Sequence, residues 1–236
     1  MVVAPSMQDI TMPTDPLAKM RLFQLISPSL PTGSFTYSQG LEWTVECGWV
    51  NSKDSLVAWL SSLLYNSFQE LEIPLLKRLY LSGASQDIER FTYWASYAVA
   101  CRETKELRQE EINRGRAMTK LIEQLGLELG IEWLEVVKGC QIAGFALTAS
   151  RWNIALQQAV LGYTWGWLEN MVMAAIKIVP LGQSAGQQTL AELIETAIEV
   201  VETGLMVEDD NIGGSCPAFT LASCLHETQY TRLFRS

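Results

Sequence analysis

The clearest periodicity in this chain of 236 residues lies in the segment Leu190-Ala-Glu-Leu-Ile-Glu-Thr-Ala-Ile-Glu-Val-Val-Glu-Thr-Gly204. Its apolar side chains recur at i, i+3, i+4, i+7, i+8 and i+11, and they are Leu190, Leu193, Ile194, Ala197, Ile198 and Val201. Its carboxylates occupy the opposite face, at Glu192, Glu195, Glu199 and Glu202. This spacing is typical of an amphipathic α-helix, and glycine is a common helix end. The segment therefore predicts a helix that ends at Gly204.

Helical periodicity also dominates the rest of the chain, and no stretch shows the sustained alternation or the Asn-Gly turn typical of strands and hairpins. Further helices are predicted over Leu17–Ser27, Tyr37–Gly48, Ser52–Gly83 with an interruption or restart at Pro74, Phe91–Cys101, Glu103–Leu129, Glu132–Arg151 and Trp152–Val179. The sequence thus predicts an all-α, single-domain bundle of about eight to ten helices. We expect this domain to span residues 17–225, after a disordered leader at 1–16 and before a C-terminal tail at 226–236.

The composition excludes several classes of function. The formal net charge is −9, which argues against a nucleic-acid partner because phosphates require clustered Lys and Arg. The five cysteines include no CxxC pair, which favours reduced thiols in a cytoplasmic protein over a disulfide framework. The most apolar segment, Trp152–Ile176, contains four amide side chains that would be costly in lipid. We therefore expect buried helices there and no membrane contact.

The C-terminal tail has an unusual composition for the end of an acidic chain. It combines aromatic, apolar and basic side chains at Tyr230, Arg232, Leu233, Phe234, Arg235 and Ser236. Such side chains are suited to anchoring an interface. We therefore predict that residues 226–236 are a partner-docking tail, while a segment that packs back on its own domain remains the open alternative.

A proline- and glycine-containing loop, Ser27–Gly40, separates the first two predicted helices. Its candidate contact residues are Pro31, Gly33, Ser34, Tyr37 and Gly40. Prolines fix φ and glycines permit sharp turns, so the loop is predicted to be a rigid surface or interface turn. A phosphate-binding loop would need a lysine after the second glycine, where this chain has Leu41.

The helix predicted from Glu103 carries charged side chains within about 60° of its apolar stripe, at Glu103, Glu110, Glu111 and Arg114. Glu110 and Arg114 have the favoured i, i+4 order. Charges on an apolar face indicate either a buried ion pair or an interface with another chain, and the sequence does not distinguish these. Gly115 lies at the edge of the stripe, where it would let another helix approach closely.

Candidates for catalysis or metal binding are scarce. The single histidine is His226, and Cys224 is two residues away, so the two side chains are about 200° apart on a helix and do not face one ion. No GxSxG elbow is present. The sequence predicts no catalytic residues and no metal site. Cys224 and His226 are only weak candidates for a metal site, within one chain or across a dimer axis.

Four segments resemble the UreF family of urease accessory proteins. They are Ser-Pro-Ser-Leu-Pro-Thr-Gly-Ser-Phe-Thr-Tyr-Ser-Gln-Gly-Leu-Glu-Trp at 27–43, Arg-Glu-Thr-Lys-Glu-Leu-Arg at 102–108 with Glu110 and Glu111, Lys-Ile-Val-Pro-Leu-Gly-Gln at 177–183 with Gly186-Gln187, and the tail. The resemblance covers about Leu17 to Ser236. It departs at Thr32, where a small apolar residue is expected.

The resemblance implies an all-α homodimer that is not an enzyme and binds no cofactor stably. It implies a scaffold that bridges UreD (also called UreH) and the GTPase UreG on apo-urease, in a complex that handles nickel. It assigns the tail to the UreD/UreH contact. It also makes the 31–40 loop and a second set of residues candidates for partner contacts, namely Arg102, Glu103, Arg108, Glu110 and Glu111.

Two alternatives remain beside the scaffold. The chain could be a GTPase-activating regulator of UreG, with Arg102, Arg108 or Arg235 as an arginine finger. It could also be a nickel-binding chaperone that uses His226 and Cys224 across a dimer.

Overall fold

The computed structural model describes residues 15–236, and every regular element in this range is a helix. The all-α class predicted from the sequence is therefore confirmed. Residues 1–14, most of the expected leader, lie outside the described residues. The first helix begins at Pro16, inside the range expected for the leader. Its N-cap is Asp15, whose carboxylate accepts a hydrogen bond from the Leu17 amide at 3.1 Å.

The eleven α-helices of the described residues are α1 (Pro16–Leu25), α2 (Leu41–Glu46), α3 (Lys53–Leu63), α4 (Ile73–Ala84), α5 (Ile88–Ala100), α6 (Lys105–Gln124), α7 (Ile131–Gly139), α8 (Gln141–Arg151), α9 (Leu156–Ile178), α10 (Gln183–Gly204) and α11 (Pro217–His226). A π-helix, Leu64–Glu72, joins α3 to α4 without a break, and single 3-10 turns lie at Ser34–Thr36 and Asp209–Asn211. Because α3, the π-helix and α4 form one continuous rod, the described chain has ten separate helices, in agreement with the prediction.

Helix α8 lies at the centre of the bundle. All its residues from Gln141 to Ser150 are buried, and α4, α6 and α7 pack around it. The close approach predicted at Gly115 is real, since a Cβ there would lie 2.5 Å from the carbonyl oxygen of Val137. A side chain at this position would push α6 away from α7.

Two local features differ from the sequence prediction. A single helix over Glu132–Arg151 is wrong, because Cys140 has extended backbone angles that separate α7 from α8. At Pro74 the rod continues into α4. Proline has no amide to donate to the carbonyl of Glu70, four residues earlier. The amide of Gly213 donates to that carbonyl instead, at 3.0 Å.

Helix α10 ends at Gly204 as predicted, but its apolar stripe is wider than the groove it fills. Leu190, Leu193 and Val201 are buried, whereas Ile194 and Ile198 are exposed. Within residues 15–236, no helix has both the length and the apolar character that crossing a bilayer requires.

Candidate functional site

A buried ion cluster lies where three elements meet. Arg102 follows α5 and donates through Nη2 to Glu72 at the end of the π-helix (3.0 Å) and through Nε to Glu111 on α6 (3.1 Å); its Nη1 also pairs with Glu72. The Arg102 side chain is only 12% exposed. Glu111 in turn accepts a hydrogen bond from the amide of Ile142 at 2.9 Å, in the first turn of α8. Two of the predicted contact residues, Arg102 and Glu111, therefore connect elements of their own chain.

The charges in this cluster stabilise one another. Burial alone would raise the pKa of Glu111, but the Arg102 guanidinium and the amide of Ile142 outweigh it and hold that pKa below its ordinary value. Burial would likewise lower the pKa of Arg102, and the carboxylates of Glu72 and Glu111 reverse this effect and raise it well above the ordinary value. Glu111 and Arg102 are therefore both ionised at neutral pH.

This pKa shift predicts how stability depends on pH. A carboxyl whose pKa is lower in the folded state contributes stability above its ordinary pKa, and the contribution is lost as the pH falls through the folded value. The difference in unfolding free energy between the wild type and Glu111→Gln should therefore be greatest at neutral pH and should narrow from about pH 5 to about pH 2. Urea unfolding across this range measures it, with Glu128→Gln as an exposed control. A difference that stays constant into acid would contradict the ionised pairing.

A second polar cluster joins the 31–40 loop to α6 and α9. Glu110 pairs with Arg114 at 2.7 Å, which is the i, i+4 pair expected from the sequence. The Glu110 carboxylate also accepts hydrogen bonds from Gln39 Nε2 (3.0 Å) and from the Ser236 hydroxyl (3.1 Å). Gln39 accepts one from the indole of Trp167 at 2.8 Å. Glu110 thus connects the end of the tail to the loop.

Both clusters line a cavity of about 240 Å³. Its charged lining residues are the carboxylates Glu72, Glu103, Glu110, Glu111 and Glu169 and the cations Arg102, Arg114 and Lys177, so five carboxylates face three cationic groups. Its sulfur-bearing side chains are Cys101, Met118, Met173 and Cys216. Within the described residues, no three His, Cys, Asp or Glu side chains are arranged to hold a metal ion. The side chains that line the cavity therefore carry a small net negative charge, and the described residues form no metal site there.

The tail lies on its own domain. The amides of Leu233 and Phe234 donate to the carboxylate of Glu42, at 2.6 and 2.9 Å. The amide of Arg235 donates to the carbonyl of Thr36 at 2.9 Å. The Phe234 ring is buried and holds the segment against the core.

The last residue is held by the same loop. The main-chain oxygen of Ser236 accepts hydrogen bonds from the amides of Ser38 (2.5 Å) and Gln39 (2.9 Å). The backbone of the tail is therefore occupied within the chain, which is the packing that the sequence left open beside docking on a partner.

His226 joins α2, α6 and the tail. It is fully buried, with Nδ1 at 2.7 Å from Glu106 and Nε2 at 3.3 Å from Glu42. Glu106 also accepts from Arg232 at 2.6 Å. The two carboxylates lie at opposite edges of the ring, so one ion cannot bind all three side chains. Cys224 is exposed on the other side of α11, so the structure does not bring the two weak metal candidates together.

The outward side of this region is apolar. Tyr230 and Leu233 point away from the domain and are 103% and 64% exposed. The exposed apolar residues of α11, which precedes them in the chain, are Pro217, Ala218, Leu221, Cys224 and Leu225. No charged residue occurs between Pro217 and Leu225. Because an outer helix face normally carries polar residues, this face has the character of a contact surface.

The predicted loop residues have different environments. Pro31 is exposed, Gly33 and Ser34 are partly buried, and Tyr37 and Gly40 are buried. Gly40 has φ of 81°, and a Cβ there would lie 2.8 Å from the amide nitrogen of Ser223. Glycine at this position therefore lets the loop pack against α11.

The two remaining candidates lie at the start of α6. Arg108 is exposed and donates to the carbonyl of Arg102 at 2.6 Å. Glu103 is also exposed, and it accepts from Ser215 at 2.8 Å and from Thr220 near the start of α11. Both remain available on the surface.

Sequence reasoning missed the carboxylates that hold the tail and the cluster, namely Glu42, Glu72 and Glu106. In the sequence they look like any other glutamate on an amphipathic helix. The sequence held one indirect signal for these carboxylates. The lone histidine, His226, and the two basic tail residues, Arg232 and Arg235, require acidic partners if they are buried.

The chain is similar to known proteins over nearly its full length. A sequence model of the UreF family matches residues 50–194. Urease accessory protein UreF of Alcanivorax borkumensis is 52% identical over 225 residues, which cover 93% of this chain and 98% of that protein. The UreF proteins of Pseudomonas entomophila (93% of this chain, 98% of that protein) and Citrobacter koseri (94% and 100%) are 45% and 41% identical. The resemblance seen in the sequence is confirmed, and the chain belongs to the UreF family of urease accessory proteins.

Proposed function

We propose that this chain is a non-enzymatic scaffold of urease maturation. It bridges UreD/UreH and the GTPase UreG on apo-urease while the nickel metallocentre is assembled, and it acts as a cytoplasmic homodimer. Membership in a family of urease accessory proteins supports a role in urease maturation. The observation that carries the bridging role is the uncharged outer face of α11, together with the exposed side chains of Tyr230 and Leu233.

The anchoring of the tail supports this assignment. Its backbone is fixed by Glu42, Thr36 and the Ser38–Gln39 amides, while two large side chains point outward. A segment that is ordered before it binds loses less conformational entropy on binding. The tail is therefore a preorganised contact element for UreD/UreH.

Reconstitution from purified components tests the bridge. UreG should co-elute with UreD/UreH in size-exclusion chromatography only when this chain is present, and apo-urease should then gain activity with nickel. Co-elution of UreG with UreD/UreH in the absence of the chain would contradict the proposal.

We propose further that the cavity provides a route along which the complex passes nickel, with no ion held stably. Its net negative wall and its sulfur-bearing side chains support passage of a cation. Gly166 on α9 lines the cavity. A Cβ there would make only ordinary contacts with Ile26, at 3.7 Å or more, so the position tolerates alanine but lets a longer side chain project into the space.

This gives a graded prediction. Gly166→Leu should fill part of the cavity and lower the rate of nickel-dependent urease activation severalfold, because it obstructs the route. Gly166→Ala should leave the rate unchanged and stabilise α9 by up to about 1 kcal/mol. Activation assays with equal amounts of assembled complex measure the effect. Full activation by a Gly166→Leu chain that still assembles would exclude the route.

A GTPase-activating role for an arginine finger is the alternative. Arg102 is buried between two carboxylates and is not free to reach a nucleotide, whereas the side chains of Arg108 and Arg235 are exposed. An arginine finger accelerates GTP hydrolysis by about 10³–10⁵. Single-turnover hydrolysis by UreG with the Arg108→Ala and Arg235→Ala chains distinguishes the two functions, since a scaffold changes assembly and not the hydrolysis rate.

A further inference from the structure

At one edge of its apolar stripe, α10 carries two isoleucines that residues 15–236 cover only in part. Ile194 and Ile198 lie one turn apart and are 42% and 44% exposed. Glu195 and Glu202 lie on the carboxylate face that borders this edge, Glu195 next to Ile194 in sequence and Glu202 one turn after Ile198. We call these four residues the α10 ridge. A pair of isoleucines left partly exposed beside the buried side chains of the same apolar stripe indicates a surface that another molecule covers.

The stretch of sequence that contains the α10 ridge is acidic. The chain contains no lysine or arginine between Lys177 and Arg232. The acidic residues in this interval are Glu192, Glu195, Glu199, Glu202, Glu208, Asp209, Asp210 and Glu227. The segment therefore contributes much of the excess negative charge of the protein.

Not all of these carboxylates are available to a partner. Two of them on α10 are bonded within the chain, as the pairs Lys53–Glu192 (2.6 Å) and Tyr65–Glu199 (2.9 Å). In contrast, Glu195 and Glu202 are exposed and make no hydrogen bond or ion pair within the described part of the chain. On α10, the carboxylates without such a bond in the described part of the chain are those beside the exposed isoleucines.

We infer that the α10 ridge docks a protein partner whose contact surface is an apolar patch flanked by lysine or arginine. The inference rests on the proposed function, because it assigns the ridge to a component of the maturation complex. Charge complementarity identifies the occupant: two copies of this chain would bring acidic ridges together, and such like-charge contacts suppress binding. Nucleic acid is excluded for the same reason.

The test uses the full-length chain and titrates UreD/UreH, UreG and apo-urease separately at low and high salt. One variant, Glu195→Lys with Glu202→Lys, reverses the charge, and a second, Ile194→Ser with Ile198→Ser, removes the apolar contact. Ile131→Ser and Glu123→Lys are matched controls, since both residues are exposed outside α10. Circular dichroism confirms that each variant is folded.

Both ridge variants should bind one component at least about tenfold more weakly, and the charge reversal should also reduce the salt dependence of binding. The controls should bind like the wild type. If the wild type binds a component and both ridge variants bind all components equally well, the inference is overturned while the proposed function stands. If the wild type binds none of the three components, the proposed function fails, and the inference loses its basis. A change in the oligomeric state of the ridge variants in sedimentation would identify a second copy as the occupant and would also overturn it.

Discussion

Replacing Tyr230 and Leu233 together by alanine is expected to weaken binding to UreD/UreH by at least about 100-fold. Both side chains are exposed and make no contribution to the anchoring of the tail, which uses backbone amides, Phe234 and Arg232. Large side chains of this kind can each contribute about 2 kcal/mol or more at the centre of an interface. The stability of the free chain should change by no more than about 0.5 kcal/mol.

Titration calorimetry with purified UreD/UreH measures the loss of affinity, and urea unfolding measures the stability. Tyr93→Ala and Ile131→Ala are the matched controls, because they remove exposed apolar side chains far along the sequence from the tail. Wild-type affinity of the double variant would show that the tail serves its own domain alone.

Ending the chain at Gln229 would be a less specific experiment. That truncation removes the two outward side chains, but it also removes the tail groups that Glu42, Glu106 and Glu110 bind. The acidic side chains would lose the amide, guanidinium and hydroxyl groups that they bind in the folded chain. A loss of the complex could then reflect either a missing contact or a disturbed domain, and the double alanine variant separates these two causes.

The sequence predicts a helix correctly where only one face of that helix is apolar. The period of α10 predicted its type and its end at Gly204. Periodicity could not reveal the break at Cys140, because the residues on both sides of it are apolar and compatible with one long helix. It also could not predict the π-helix before Pro74. There the Glu70 carbonyl accepts a hydrogen bond from the amide of Gly213, which lies in a distant part of the chain.

The site was predictable only in part, for a related reason. The charges on the apolar side of α6 indicated either a buried pair or an interface, and the structure supplies the missing information. The partners of Arg102 are Glu72, from an irregular helix far away in sequence, and Glu111. Glu42 and Glu106 went unnoticed because nothing local distinguishes a glutamate that binds a tail from one in water.

Replacing Arg102 by methionine is expected to destabilise the chain by about 3 to 5 kcal/mol. The substitution keeps much of the side-chain volume but leaves Glu72 and Glu111 buried without their counter-charge. This loss is a large fraction of the stability of a typical domain, which is about 5 to 15 kcal/mol. Arg102→Lys should lie between the wild type and methionine, because an ammonium group cannot serve both carboxylates as the planar guanidinium does. Midpoints and slopes of urea unfolding measure these differences.

A triple variant separates lost charge balance from lost packing. Combining Arg102→Met with Glu72→Gln and Glu111→Gln removes every charge of the cluster, so most of the stability should return, as is found when buried ion pairs are replaced as a unit. A loss below about 1 kcal/mol for Arg102→Met would mean that water reaches the cluster and screens it, as at surface pairs. The same variant also bears on the alternative function. If Arg102 were an arginine finger, its replacement would abolish stimulated GTP hydrolysis by UreG and leave stability unchanged, which is the reverse of the pattern that a buried ion cluster predicts.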